Sequence, residues 1–323
     1  MARGRGTESE SQERPQSEDA RLAAVSLERL RLWWSDNARD LPWRRTGTSP
    51  WGILVSEVMS QQTPMIRVVP YWNSWMKTWP TPQALSQASS AEVITAWGKL
   101  GYPRRALRLQ ECARVVVERY DGVLPRDYDD LLELPGVGEY TASAVASFAY
   151  TQRVAVVDTN IRRVISRVFD GEENYGGATS PADRARAKQV LPDSAEDALV
   201  WNQGVMELGA TVCTATSARC EVCPLNDLCR WRAAGYPGKG VKPTRKTQKW
   251  KGTNRQVRGI VLNALRAKAA AQHGENTSTA PRLSSEELEA LWENTAQLHE
   301  CVAALDDDHL VEILPGGGVG FPQ

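Results

Sequence analysis

No apolar run in the 323 residues approaches the roughly 18–20 positions a bilayer-spanning helix needs. The first twenty residues mix Arg, Glu, Ser and Gln and lack the apolar centre of a secretory signal. These two absences predict a cytoplasmic protein behind a disordered tail over residues 1–22. Net charge is lacking as well. The 39 Lys and Arg balance 39 Asp and Glu, so nothing global draws the chain to nucleic acid. Alternating strand patterns are missing between residues 21 and 230, which predicts a mainly α fold. With 41% hydrophobic residues, the length allows one large or two medium cores.

Within this neutral chain the charge is uneven. Nine Lys or Arg and no acid fall between Arg230 and Arg255, interleaved with Trp231, Tyr236 and Trp250. A solvated linker and a phosphate-contacting strap both fit this stretch, and the two are compatible.

The central motif is Leu134-Pro135-Gly136-Val137-Gly138, lying between two helical patterns. Glycine allows the positive φ of a tight turn, and the first N–H groups of the next helix suit a phosphate oxygen. An ordinary helix–helix turn is the plainer reading. Downstream, Asp158 stands where a helix should begin. Ile161, Val164, Ile165, Val168 and Phe169 follow at helical spacing, with Arg162, Arg163 and Arg167 on other faces.

A second carboxylate is out of place. Pro50 opens a helix at the first-turn position proline favours. Glu57 lies in its apolar stripe beside Ile53, Leu54 and Val58. A desolvated carboxyl holds its proton and suits a general acid, while a structural pairing with arginine fits equally. Gln61-Gln62-Thr63 and Gly101-Tyr102-Pro103-Arg104-Arg105 read as polar or aromatic turns.

Histidine is missing where it would matter most. Cys213, Cys220, Cys223 and Cys229 follow the spacing C-x6-C-x2-C-x5-C with one CxxC and no nearby His. Four thiolates on a short loop point to a [4Fe-4S] cluster, with zinc as the lesser possibility. Cys112 and Cys301 fall in helical patterns and read as small buried hydrophobes. Beyond the basic stretch, three helices and a Pro315-Gly316-Gly317-Gly318 hairpin suggest a small winged-helix-like or truncated Nudix-like domain over 256–323.

Taken together, the motifs resemble the endonuclease III superfamily of helix-hairpin-helix DNA glycosylases, and residues 27–230 resemble its MutY-type adenine glycosylases. Those carrying the likeness are Leu41-Pro42-Trp43-Arg44, Ser56 to Thr63, Gly101-Tyr102, Leu134 to Gly138, Val157 to Asn160, Trp201-Asn202-Gln203 and the four cysteines. The resemblance implies a glycosylase domain over 23–230, with a six-helix barrel lobe at about 50–160 and a cluster lobe from 23–49 and 161–230. A basic linker over 231–255 follows.

Glu57 matches the catalytic acid that protonates adenine, and Asp158 the carboxylate that steadies the developing sugar cation. Tyr140 and Asn160 match residues that orient these acids. Trp43, Arg44 and Gln203 match the adenine pocket, Gln62 and Tyr102 the duplex wedge, and Gly136, Val137 and Gly138 the phosphate-binding hairpin. The implied partner is double-stranded DNA with adenine mispairs, bound by a monomer with no membrane.

Bifunctional members carry lysine where this chain has Tyr140, and tyrosine forms no Schiff base, so a monofunctional enzyme is implied. Ser60 and Pro103 replace bulkier family residues, and the Phe-Ser-His loop of the usual Nudix-like domain is absent. A thymine-mismatch glycosylase and a non-catalytic iron–sulfur DNA-binding protein are the competing readings.

Overall fold

A computed structural model of the chain describes residues 18–173, 177–239, 250–272 and 281–322. The helices are α1 (Glu18–Asn37), α2 (Pro50–Ser60), α3 (Met65–Thr78), α4 (Pro82–Ser86), α5 (Ser90–Trp97), α6 (Arg104–Tyr120) and α7 (Tyr128–Leu132). Next come α8 (Glu139–Tyr150), α9 (Thr159–Ile165), α10 (Pro181–Gln189), α11 (Ala195–Thr211) and α12 (Arg230–Ala233). The C-terminal segment adds α13 (Asn254–Gln272), β1 (Arg282–Leu283), α14 (Ser285–Glu289), α15 (Thr295–Asp307), β2 (Glu312–Ile313) and β3 (Val319–Gly320). The fold is thus mainly α, and the described residues up to 230 hold no strand.

The chain divides into two compact units. One contains the described residues up to 38 and those of 153–239. The other contains 39–152 and the described residues from 250 onward. These divisions differ from the expected lobes at two seams. Residues 39–49 join the larger unit because the Pro42–Arg44 turn packs on α2, with Trp43 edge-on to Trp72 at 5.8 Å. Residues 153–160 join the smaller unit because Asn202 of α11 ties the extended strip down. Its side chain accepts from Val156 N–H at 3.3 Å and donates to the Val154 carbonyl at 2.8 Å.

In the larger unit α2 is the central helix. Ser49 caps it by accepting from the Gly52 N–H, and Pro50 occupies its first turn. Every residue from Trp51 to Met59 is buried, against α3, α6 and α8. Trp75 anchors the neighbouring core, edge-on to Trp79 at 4.9 Å and to Trp97 at 5.5 Å. Such indole pairs bury large area in a preferred geometry.

The C-terminal segment belongs to the same unit, and its core includes Ile94 of α5 among Val261, Leu265, Leu298 and Phe321. Its antiparallel sheet has the order β1-β3-β2. The succession is helix, strand, helix, helix, strand, strand, an order that a winged helix also has. Strand β1 was not foreseen, because Arg282-Leu283 is too short to show alternation.

The smaller unit packs α1 and α9 on α11, and α12 on a π-helical turn, Ser166–Asp170, that continues α9. The expected tail over 1–22 lies mostly outside the described residues, but α1 already starts at Glu18. Glu18 pairs with Arg230, and Asp19 with Arg186 and Arg230, in the acid-favouring first turn. The basic stretch also differs from a free linker at its start. Trp231 is 1% exposed, donates to the Pro237 carbonyl and lies edge-on to Tyr236. Residues 240–249 of that stretch lie outside the described residues.

Candidate active site

Glu57 sits mid-way along α2 and is only 9% exposed. Burying a charged carboxylate is expensive unless hydrogen bonds compensate. Tyr140, in the first turn of α8, supplies one: its phenol donates to Glu57 Oε2 at 2.9 Å. The α2–α8 packing therefore presents an oriented carboxyl from an otherwise apolar helix.

Before α8, Gly136 takes φ +79°, and a Cβ there would lie 3.2 Å from the Arg108 Cβ. Gly138 is extended and serves as the N-cap of α8 without a side chain to close the first turn. Positive φ is thus needed at one glycine of the motif and not at the other. Pro135, Gly136 and Val137 line a cavity with Arg104, Arg105 and Arg108. The same cavity is lined by Leu54, Val58 and Leu109, so three arginines border a partly apolar hollow beside the start of α8.

Two turn tips carry left-handed non-glycine residues, Gln62 at φ +55° and Tyr102 at φ +48°. Both side chains are exposed, and such strained backbone persists only where its surroundings hold it. Arg105 holds both. Its guanidinium donates to the carbonyls of Val58 and Gln61, each at 2.7 Å, and to Gly101 at 3.0 Å. A further bond reaches Thr63 Oγ1 at 3.1 Å. Burial lowers the Arg105 pKa to about 10, so it stays charged at neutral pH. Sequence reasoning saw this arginine only as a cation beside Tyr102. Nearby, Trp43 is buried, and half-buried Arg44 donates to the Arg39 carbonyl.

In the smaller unit Asp158 caps α9. One carboxylate oxygen accepts from the Ile161 N–H at 2.6 Å, the other from the Asn160 amide at 2.7 Å. Burial raises the Asp158 pKa above its usual value, although these two donors and the Arg163 charge pull it back. Asp158 is half-buried, at the start of the helix that packs on α11. Asn160 is pinned in turn, accepting from Arg163 at 2.8 Å. Gly209 makes the fit: a Cβ there would lie 2.7 Å from the Asn160 Cβ. Gln203 is half-buried on α11, beside Asn202.

Arg162, Arg163 and Arg167, read as lying on faces other than the apolar stripe, are all buried. Arg163 donates to the carbonyls of Gly209 and Cys213, both at 2.7 Å. Arg167 pairs with Glu173 at 2.8 Å, donates to Cys213 Sγ at 3.2 Å and stacks on Trp231 at 4.3 Å. A buried guanidinium needs this many partners, and only tertiary structure could reveal them. The two arginines link the Asp158 cap to the cysteine loop.

All four cysteines are free thiols lining one cavity, walled by Val164, Val168, Leu208 and Val212. Among the described residues no group of three or more His, Cys, Asp or Glu closes on a point as a single-ion shell would. Burial raises the pKa of Cys213 and Cys229 and pushes Cys223 up to about 12; Arg167 and Arg163 oppose the rise at Cys213. Four soft thiol donors around an apolar hollow are the donor set that an iron–sulfur group takes. The donor set therefore suits the cluster expected from the spacing.

Residues 55–186 match the family model described as HhH-GPD superfamily base excision DNA repair protein. The chain is 48% identical over 299 residues to the adenine DNA glycosylase of Mycobacterium tuberculosis, covering 92% of this chain and 94% of that one. It is 44% identical over 213 residues to the human adenine DNA glycosylase, covering 63% of this chain and 38% of that one. Among solved structures, a thermostable thymine-DNA glycosylase matches with a TM-score of 0.61 at 29% identity, covering 66% of this chain and 98% of that one. Among the described residues no helix is long and apolar enough to cross a membrane.

Proposed function

The chain belongs to the adenine DNA glycosylases of the HhH-GPD superfamily, and on that premise we propose that it excises adenine mispaired with 8-oxoguanine or guanine in duplex DNA. The observation that carries the proposal is the Tyr140–Glu57 hydrogen bond inside an apolar helix packing. It orients a carboxyl within a buried stretch of helix. Glu57 protonates the extruded adenine at N7, so the base leaves neutral when the N-glycosidic bond breaks. Asp158 steadies the oxocarbenium-like sugar, oriented by Asn160, until water adds.

In the roles that the family resemblance gives them, Trp43, Arg44 and Gln203 contact the adenine, Gln62 and Tyr102 enter the duplex, and the Gly136-Val137-Gly138 turn holds a phosphate. Tyr140 stands where a Schiff-base lysine would be needed, so the product is an abasic site without strand cleavage. Cys213, Cys220, Cys223 and Cys229 hold a [4Fe-4S] cluster that braces their loop. The protein acts as a monomer.

The test is a gel assay on duplexes pairing adenine with 8-oxoguanine, guanine and cytosine, alongside thymine opposite guanine. Alkali-labile product from the first two supports the proposal. Product only from thymine opposite guanine would replace it with the thymine activity that the solved likeness favours. Borohydride trapping in high yield would refute the monofunctional assignment, and zinc without iron in the purified protein would refute the cluster.

A further inference from the structure

The C-terminal segment lies outside the region that the family model matches, yet one end of it meets a turn tip of the candidate site. The Arg255 guanidinium, in the first turn of α13, lies 5.8 Å from the Tyr102 ring centroid and 5.3 Å from that of Trp250. Arg105 approaches Tyr102 at 5.7 Å as well. The result is a layered series of ring, guanidinium and ring at the surface. Tyr102 is 52% exposed and Trp250 is 55% exposed. An indole so open would ordinarily be costly to leave in water, and stacking on a base is what such a face does well.

Charge locates the same contact. A winged-helix module usually reads DNA with the second helix of its helix-turn-helix, here α15. That helix exposes Glu300 and Asp307, and residues 281–322 hold nine acids against the single Arg282. Phosphate would be repelled there. Lys251 and Arg255, which bracket the stretch that Gln297 of α15 holds through Gly252 and Asn254, are exposed cations, and Arg255 lies against both aromatic rings.

We propose that Trp250 and Arg255 extend the Tyr102 tip into a stacking site for an unpaired nucleobase of the bound duplex, with Trp250 as the outer plate. The proposal takes duplex DNA as ligand from the function above, and it requires no excision to be tested.

Affinity for a fluorescein-labelled duplex carrying adenine opposite 8-oxoguanine is measured by anisotropy across a salt series. Trp250→Ala should bind about tenfold more weakly, the scale of one lost base–aromatic stack, with the salt slope unchanged. Trp250→Phe keeps a ring and should stay within about threefold of wild type. Arg255→Ala should weaken binding and reduce the salt slope by about one, as for one lost phosphate-neutralising charge. The fluorescence missing from Trp250→Phe should be the part that duplex quenches in wild type.

Wild-type affinity in Trp250→Ala, or an unquenched Trp250, would overturn the proposal. Adenine release at saturating enzyme is followed separately. Its absence in wild type would refute the activity while leaving the binding result to decide this site.

Discussion

The two candidate carboxylates are built in opposite ways. Glu57 comes from the middle of a buried helix, where backbone groups are already paired, so a side-chain phenol must orient it. Asp158 comes from the very start of a helix, where unpaired N–H groups are plentiful, and the backbone itself orients it. A mid-helix acid gains an apolar setting and a directed phenol donor, which suits giving up a proton. A capping acid collects several donors at once, which suits remaining charged beside a cation. Placement along a helix thus gives two chemically similar groups different surroundings.

Breaking the first arrangement should have the largest effect. Glu57→Gln keeps the shape and removes the proton, so excision should fall by about 100-fold or more while duplex affinity is retained. Single-turnover rates beside anisotropy would show it, and equal rates would remove Glu57 from the chemistry.

Asp158→Asn should lose a comparable share of activity while keeping the cap, since asparagine also caps helices well. It also sharpens the electrostatic side of the comparison. The folded Asp158 pKa is raised from 3.8, so its contribution to stability is full below that value and is lost as pH rises through the elevated one. Wild type should therefore lose thermal stability relative to Asp158→Asn between strongly acidic and neutral pH. Parallel melting curves across that window would contradict the burial of this carboxyl.

Gly209→Ala tests how tightly the cap is held. A methyl group 2.7 Å from Asn160 must displace it, at a cost of about 1–3 kcal/mol in stability and with reduced excision. Unchanged melting and turnover would show that Asn160 is free to yield. Tyr140→Phe should be milder, about a tenfold lower excision rate with unaltered duplex affinity, as expected for one hydrogen bond to a carboxylate. A loss as large as that of Glu57→Gln would mean the phenol does more than orient.

Much of this was legible because local rules fixed it. Pro50 at a helix start, Glu57 in an apolar stripe, Asp158 at a helix mouth and the spacing of four cysteines each follow from short-range chemistry. What stayed hidden depends on distant partners. Arg163 and Arg167 look like surface cations until Cys213, Glu173 and Trp231 surround them. Trp231 reads as part of a basic strap until its ring is covered. Strand β1 has two residues and no pattern of its own, and only pairing with β3 defines it.

Arg105 gathers the carbonyls behind Gln62 and in front of Tyr102 onto one guanidinium. The two tips therefore share a clasp, and neither can swing without straining the other. Any distortion they impose on a double helix would arrive as one stroke of fixed width. Loosening that clasp would leave both side chains in place and yet uncouple the two tips.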